Sequence, residues 1–271
     1  MTKNTGKGIT VVIDPGHGGH DGGARGSSTT EAREVLRIGL AVRDRLRALG
    51  YNVVMTRDTD TFVTLGGRSI ISNRAKADAF ISLHLNSASS SSANGFETFV
   101  YNAGTGQSKF RLQNATHGEI MKRIPLRDRG KKRANFAVLR NTVAPAVLIE
   151  YGFVNNPKEE AFIKSNTQLL AEATVAGINA YFGVKAGGGT GSNNVANKPS
   201  NPSQSPQNRP SDKLDVLDTQ LPETLQKDAS RLFKRAYDNG VFHEDHSVKV
   251  DRMTRVEAYD LLLRYVARTE G

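Results

Sequence analysis

The sequence predicts an α/β fold: a mostly parallel, twisted sheet with helices on both faces, plus a small α-helical C-terminal module. Short apolar runs typical of buried strands alternate with amphipathic segments at helical spacing over residues 1–185. Several of these runs lack polar alternation, which indicates strands that are buried on both faces. A Gly-, Asn-, Ser- and Pro-rich stretch at residues 186–211 predicts a flexible linker, and residues 212–271 follow as a separate module.

Composition limits the kinds of site that the chain can build. Its 271 residues are 37% hydrophobic and include no cysteine. Disulfides are therefore excluded, and any metal site has to use His, Asp or Glu. No apolar run approaches the roughly 20 residues that span a bilayer, so we expect no membrane insertion. No secretory signal is visible either, and we expect synthesis in the cytoplasm and release by another route.

The net charge of +10 lies in the first part of the chain. Residues 1–185 carry 25 Lys and Arg against 15 Asp and Glu, whereas residues 186–271 carry 12 of each. This imbalance indicates a polyanionic partner: nucleic acid, a membrane surface or an anionic polymer. Much of the excess falls in a predicted basic loop at residues 122–133. Such runs are usually solvated, but beside a cleft this one could hold an anionic substrate. Since it lacks interleaved aromatic residues for base stacking, nucleic acid is disfavoured.

The first strand, Val11 to Ile13, stops at a glycine-rich turn that contains His17. Pro15 ends the strand, and the glycines on either side of His17 leave its imidazole open to a group brought in close. A surface turn in which the histidine is incidental is the alternative explanation.

An amphipathic helix is predicted from Glu31 to Leu49, with Gly50 at its C-terminus. Glu31 shares the helix face of the apolar residues, where an ionised carboxylate is unfavourable unless it is paired or bound to metal. The alternative for Glu31 is a capping box with Ser28. Glu34 projects to the edge of the apolar stripe, and we expect it to be an ordinary surface acid.

The later elements alternate in the same way. His117, on the third predicted helix, is expected to be a partly exposed surface residue. The predicted strands lie at residues 52–56, 79–86, 95–102, 136–140 and 145–150, and the predicted helices at 67–77, 107–121, 159–164 and 168–182.

Functional side chains recur near the ends of the predicted strands. His84 lies near the end of one apolar strand and Glu150 ends another. Because ligands of parallel sheets bind beyond the carboxyl ends of the strands, His17, Glu31, His84 and Glu150 can converge in one crevice. A single histidine in a buried strand is more often a core residue, but two in matching positions weaken that explanation.

Two histidines and one carboxylate from separate elements form a ligand set suited to zinc, with a fourth position left for water. Zinc lowers the pKa of its water toward about 7 and polarises a carbonyl oxygen. A second carboxylate, for which Glu150 is the candidate, could take the proton of the water and return it to a leaving amine. The sequence contains no serine nucleophile elbow and no phosphate-binding loop.

Over residues 8–183 the chain resembles the zinc-dependent N-acetylmuramoyl-L-alanine amidases of the third amidase family. The motifs that carry the resemblance, besides Glu31, are Asp14-Pro-Gly-His-Gly-Gly-His-Asp-Gly-Gly-Ala24, Ser82-Leu-His-Leu-Asn86, Gly95-Phe-Glu97 and Pro145-Ala-Val-Leu-Ile-Glu-Tyr-Gly-Phe-Val-Asn155. The resemblance implies cleavage of the amide between N-acetylmuramic acid and the L-alanine of the stem peptide. It also implies that Zn2+ is bound by His17, Glu31 and His84 and that Glu150 is the catalytic residue. We expect Asn86 and Arg140 to contact the substrate.

The resemblance, the small size of the C-terminal module and the absence of a visible secretory signal together set expectations for the whole chain. Residues 1–185 would be the catalytic domain, and residues 212–271 a cell-wall-binding or dimerisation module that could form a homodimer. Its residues 229–268 weakly resemble an S-layer-homology repeat. The expected partners are peptidoglycan and anionic wall polymers. The expected role is that of a phage endolysin, made in the host cytoplasm and acting on the wall after release. A sporulation autolysin and a non-catalytic wall-binding protein are the alternatives.

Overall fold

A computed structural model of the chain describes residues 5–104 and 106–185. The predicted linker, residues 186–211, and the predicted C-terminal module, residues 212–271, lie outside the described residues. The described elements are, in chain order, β1 (Thr10–Pro15), α1 (Glu31–Ala48), β2 (Asn52–Met55), α2 (Leu65–Arg74), β3 (Ala79–Asn86), β4 (Phe96–Tyr101), α3 (Gln107–Met121), β5 (Asp128–Ala134), α4 (Ala137–Arg140), β6 (Ala146–Phe153), α5 (Pro157–Ser165) and α6 (Thr167–Phe182).

The strands form one sheet in the order β2-β1-β3-β6-β4-β5. The strands β2, β1, β3 and β6 are parallel to their neighbours within this group. β4 pairs antiparallel with β6, and β5 runs parallel to β4. The predicted fold class is confirmed: the sheet is mostly parallel, and two strands at one edge run in the opposite direction.

Apolar side chains cover both faces of the sheet, which explains why its central strands show no polar alternation. On one face, α1, α3 and α6 pack over the larger core, to which the strands contribute Val11, Ile13, Ile81, Leu83, Val147 and Ile149. On the other face, α4 places Val138 and Leu139 against a smaller cluster that contains Val12, Phe80 and Leu148. Among the described helices, none is both long enough and apolar enough for a membrane span.

Two side chains that were predicted to be at the surface are buried. Glu34 is 1% exposed, and its carboxylate accepts hydrogen bonds from Thr29 and Arg37. His117 is 5% exposed. Its Nδ1 lies 3.0 Å from the Thr98 hydroxyl and its Nε2 lies 3.0 Å from the Asp128 carboxylate. Both predictions were wrong: His117 has partners on β4 and β5, whereas Glu34 is bound by Thr29, just before α1, and by Arg37 of the same helix.

Three predicted element boundaries also change. The basic loop is in part the edge strand β5, because residues 128–134 pair with β4. The predicted strand at residues 136–140 is instead the short helix α4. β6 continues to Phe153 between β3 and β4, so Glu150 lies within this strand and does not end it.

Candidate active site

His17 lies in the turn beyond β1 with a left-handed backbone, φ 60°. This conformation is uncommon for a residue other than glycine. Its Nδ1 lies 2.8 Å from a carboxylate oxygen of Asp21, which leaves Nε2 directed at the Glu31 carboxylate, 3.1 Å away. A Cβ on Gly23 would lie 2.7 Å from both the Glu31 Oε2 and the imidazole Cδ2 of His17. The glycine-rich turn is therefore required for the close approach of these side chains.

Glu31 is the first residue of α1 and is 4% exposed. Two backbone amides bind its carboxylate: Ala24 donates to Oε2 and Leu85 donates to Oε1. The N-cap residue of the helix is Thr30, and the backbone amide and hydroxyl of Ser28 donate to Glu160. The alternative of a capping box between Ser28 and Glu31 was therefore wrong. The carboxylate is directed inward and is held at both oxygens.

His84 lies in β3, two residues before the strand ends. Its Nδ1 is 2.8 Å from the Glu31 Oε1, and its ring meets that of His17 edge to face with centroids 5.2 Å apart. A Cβ on Gly16 would lie 2.2 Å from the Cε1 of His84. Three separate elements thus place two imidazoles and one carboxylate in contact.

One ligand atom from each of His17, Glu31 and His84 can be chosen so that all three lie within 4.8 Å of one another. Two imidazole nitrogens and one carboxylate oxygen form a donor set that suits a metal ion such as zinc. The Asp21 carboxylate contacts Nδ1 of His17, the ring nitrogen that is not directed at Glu31. This contact matches the carboxylate–histidine pairs that orient metal-binding imidazoles. The residues present therefore fit a metal centre.

The electrostatics of this group favour an ionised carboxylate between the imidazoles. Burial opposes ionisation of Glu31, but hydrogen bonds and charges from His17 and His84 outweigh it and lower the pKa of Glu31. Burial also opposes protonation of His17, but its contacts with Glu31 and Asp21 outweigh that effect and raise the pKa of His17. The negative charge that a metal cation requires is thus already present.

Glu150 lies beside this group, in register with His84 on the neighbouring strand. Side chains at paired positions point to the same face of a sheet, so Glu150 and His84 are neighbours. The Glu150 Oε2 is buried and has no hydrogen-bond partner among the described residues. Burial, together with the negative charges of Glu31 and Glu97, raises the pKa of Glu150 well above its ordinary value. An unpartnered carboxyl group with a raised pKa is typical of a residue that transfers protons.

The sequence profile of the family described as N-acetylmuramoyl-L-alanine amidase matches residues 11–180, which is more than half of the chain. The chain belongs to this amidase family. Among curated proteins it is similar to the "Probable cell wall amidase LytH" of Staphylococcus aureus, with 37% identity over 185 residues. That match covers 66% of this chain and 60% of LytH, so the chain spans about 60% of the length of this relative.

Solved structures of amidases share the fold. The N-acetylmuramoyl-L-alanine amidase from Clostridium difficile 630 is 36% identical with a TM-score of 0.63, over 68% of this chain and 100% of that chain. The catalytic domain of CwlV, an N-acetylmuramoyl-L-alanine amidase from Bacillus (Paenibacillus) polymyxa var. colistinus, is also 36% identical. Its TM-score is 0.62, over 65% of this chain and 99% of that chain.

The two residues of this amidase-family chain that were predicted to contact substrate lie in different places. Asn86 ends β3, close to His84, and its amide donates to the Glu97 carboxylate over 2.8 Å. Arg140 is an exposed residue of α4 that donates to the side chains of Asn135 and Asn141. Since α4 precedes the amino end of β6, the structure does not bring Arg140 together with the other predicted residues.

Three charged residues that were not predicted from the sequence support this site. Glu97 is 3% exposed, pairs in register with Glu150, and binds Arg129 and Lys132. The sequence feature that could have identified Glu97 is an acidic residue within a mostly apolar strand. Arg57 and Arg68 are each 3% exposed and bind the backbone around His17. Their partners are carbonyl groups, for which a sequence carries no local signal.

Proposed function

We propose that the chain is a zinc-dependent amidase that cleaves the bond between N-acetylmuramic acid and the L-alanine of the stem peptide. The observation that carries the proposal is the meeting of His17, Glu31 and His84 beside the unpartnered carboxyl oxygen of Glu150. The names of the relatives reported above, a probable cell wall amidase and two N-acetylmuramoyl-L-alanine amidases, support the same substrate.

In this proposal His17, Glu31 and His84 hold the ion. Zinc, when bound there, supplies a Lewis acid that activates water and polarises the amide carbonyl. Glu150 takes a proton from the attacking water and returns it to the alanine nitrogen as the carbon–nitrogen bond breaks. The raised pKa of Glu150 suits the first of these steps, because it makes the carboxylate a stronger base than an ordinary glutamate.

Product analysis on defined peptidoglycan tests the reaction. The expected products are a free L-alanine amine and an intact muramic acid, and they should disappear after treatment with a chelator and return on addition of zinc. A new amine elsewhere in the stem peptide would indicate a zinc peptidase instead. Wall binding without any new end group would indicate a non-catalytic wall-binding protein.

The biological setting is a finer part of the proposal. A phage endolysin and a sporulation autolysin are the two settings considered, and the similarity to LytH supports a bacterial wall amidase over the endolysin. The genes next to this one distinguish the settings: phage lysis genes would favour the endolysin, and chromosomal wall or sporulation genes the autolysin.

We further propose that anionic wall polymers bind along β5 and the loop before it. Arg127, Lys131 and Arg133 are exposed there, and Arg133 stacks on the ring of Phe110. Binding to purified walls should weaken with rising salt concentration, and Lys131→Glu should weaken it at low salt. Equal wall binding by the variant at all salt concentrations would contradict the proposal.

Residues 212–271 are proposed to bind the wall or to form a homodimer. Deleting them should reduce binding to intact walls or change the oligomeric state measured by light scattering. If neither quantity changes, this proposal is wrong.

A further inference from the structure

Two buried arginines bind the backbone of the turn that carries His17. Arg57 follows β2, and Arg68 lies in the first turns of α2. Arg68 donates to the carbonyls of Pro15 and His17 over 2.7 Å each, and to the buried carboxylate of Asp14 over 2.8 Å. These three partners all belong to β1 or to the turn that follows it.

Arg57 differs because its guanidinium reaches two segments of the site at once. Its Nε donates to the carbonyl of Pro15 over 2.9 Å. Its Nη2 donates to Gly16 over 2.7 Å and to Ala32 over 2.8 Å. Gly16 directly precedes His17, and Ala32 directly follows Glu31. One nitrogen therefore connects the backbone next to one proposed ligand with the backbone next to another.

The backbone of His17 needs such support. Its positive φ is disfavoured for a residue with a Cβ. The hydrogen bonds from the charged guanidinium of Arg57 to the consecutive carbonyls of Pro15 and Gly16 hold the turn in this conformation. A Cβ on Gly18 would lie 2.9 Å from the Cδ of Arg57, so the turn and this side chain are also in direct contact.

We propose that Arg57 is a positioning residue of the metal centre, which sets the distance between His17 and Glu31 by binding the carbonyls of Gly16 and Ala32 together. The proposal rests on the proposed function, since it assumes that these two side chains hold a metal ion. Lysine cannot replace the arginine, because a single ammonium group lacks the planar fork that reaches three carbonyls.

The test compares Arg57→Lys with Tyr51→Phe in the full-length chain. Tyr51 precedes β2, at the opposite end of that strand, and its hydroxyl makes one buried hydrogen bond to Asn179 over 2.7 Å. Both variants should lose stability, and only the first alters the metal centre. Zinc affinity is measured by competition with a chelator, and coordination by the visible absorption of the cobalt-substituted protein.

Arg57→Lys should bind zinc about 10- to 100-fold more weakly, as is typical when an outer partner of a metal ligand is lost. Its cobalt spectrum should also change, whereas Tyr51→Phe should match the wild type in both measurements. Unchanged affinity and an unchanged spectrum in Arg57→Lys would overturn the proposal. A wild-type protein that binds no zinc would instead overturn the proposed function itself.

Circular dichroism establishes first whether Arg57→Lys folds. If it does not, Arg57→Ala is refolded with ethylguanidinium, which can occupy the vacated position. Recovery of zinc affinity with rising ethylguanidinium concentration supports the role of the guanidinium in positioning. If the refolded Arg57→Ala protein does not recover zinc affinity at any ethylguanidinium concentration, the proposal is overturned.

Discussion

Glu97 and Glu150 lie opposite each other on the antiparallel strands β4 and β6, and within the described residues only Glu97 has cationic partners. Arg129 and Lys132 bind the Glu97 carboxylate, whereas the Glu150 Oε2 has no hydrogen-bond partner in the part of the chain that the structure describes. Burial opposes ionisation of Glu97, but the two cations outweigh it and lower its pKa, while the pKa of Glu150 is raised. Two carboxyl groups at paired positions of the sheet thus differ in pKa: that of Glu97 is lowered and that of Glu150 is raised.

Glu150→Gln should retain zinc and lose most of the amidase activity. The amide keeps the shape of the side chain but cannot accept the proton of the attacking water, so the rate should fall by roughly 100-fold or more. Metal content and the release of alanine amines from purified walls measure the two effects. Glu172→Gln, at an exposed position of α6, is the matched control and should leave both unchanged. Near-normal turnover of Glu150→Gln would refute the role assigned to this residue.

His84→Ala should lose the metal. It removes one of three proposed ligands, so the loss of zinc affinity should exceed the roughly 10- to 100-fold typical of an outer partner. Zinc content after dialysis against a weak chelator measures this loss. His20→Ala is the control, because His20 is exposed and packs on Phe62 outside the ligand group. Equal zinc retention in the two variants would contradict the proposed ligand set.

Gly16→Ala should weaken zinc binding without unfolding the protein. The added Cβ would meet the His84 ring at 2.2 Å, so the ring has to move away from Glu31. Gly118→Ala on α3 is the control: its Cβ has no neighbour within 4 Å, and alanine in a helix stabilises it by up to about 1 kcal/mol. Chelator competition and thermal unfolding distinguish the two variants. A Gly16→Ala protein with unaltered zinc affinity would show that His84 is not confined by this contact.

The stability of the protein should depend on the ionisation of Glu160. This carboxylate, on α5, accepts hydrogen bonds from the backbone and hydroxyl groups of Ser27 and Ser28, in the loop before α1. Burial opposes ionisation, but these hydrogen bonds outweigh it and lower the pKa of Glu160 to about 2 from an ordinary 4.5. Because the folded pKa is the lower one, the stabilisation is complete above about pH 4.5 and is lost as the pH falls toward about 2.

Glu160→Gln should therefore be less stable than the wild type at neutral pH, by roughly 2 kcal/mol, and the difference should shrink as the pH falls through this window. Urea unfolding of both proteins at a series of pH values measures it. A difference that stays constant down to pH 2 would mean that the charge of Glu160 contributes nothing.

Several features could be predicted from local pattern alone. The uninterrupted apolar residues of β1 and β3 and the apolar stripe of α1 predict buried elements, and the structure has them within a few residues of the expected bounds. His17, Glu31 and His84 were expected to converge, and the structure brings them together. Parallel strands explain this result, because their carboxyl ends share one edge of the sheet.

The polar side chains that were mispredicted share one physical cause. Glu34 and His117 both occupy helix positions that an isolated helix would expose, and both are buried with hydrogen-bond partners: Thr29 and Arg37 for Glu34, Thr98 and Asp128 for His117. Burial of a polar group depends on whether the fold supplies its hydrogen bonds. The period of a helix carries no information about such partners.

The sequence by itself determined the strand–helix order and the identity of the residues at the edge of the sheet, because both follow from apolar periodicity and from the glycine-rich turn. Only the tertiary structure decided that, among the described residues, Glu97 and not Glu150 forms ion pairs with cationic side chains. Glu97 and Glu150 both lie in apolar strands, but β5 runs beside β4 and supplies Arg129 and Lys132 to Glu97 alone. Electrostatic interaction depends on distance in space, and that distance is set by strand order and register.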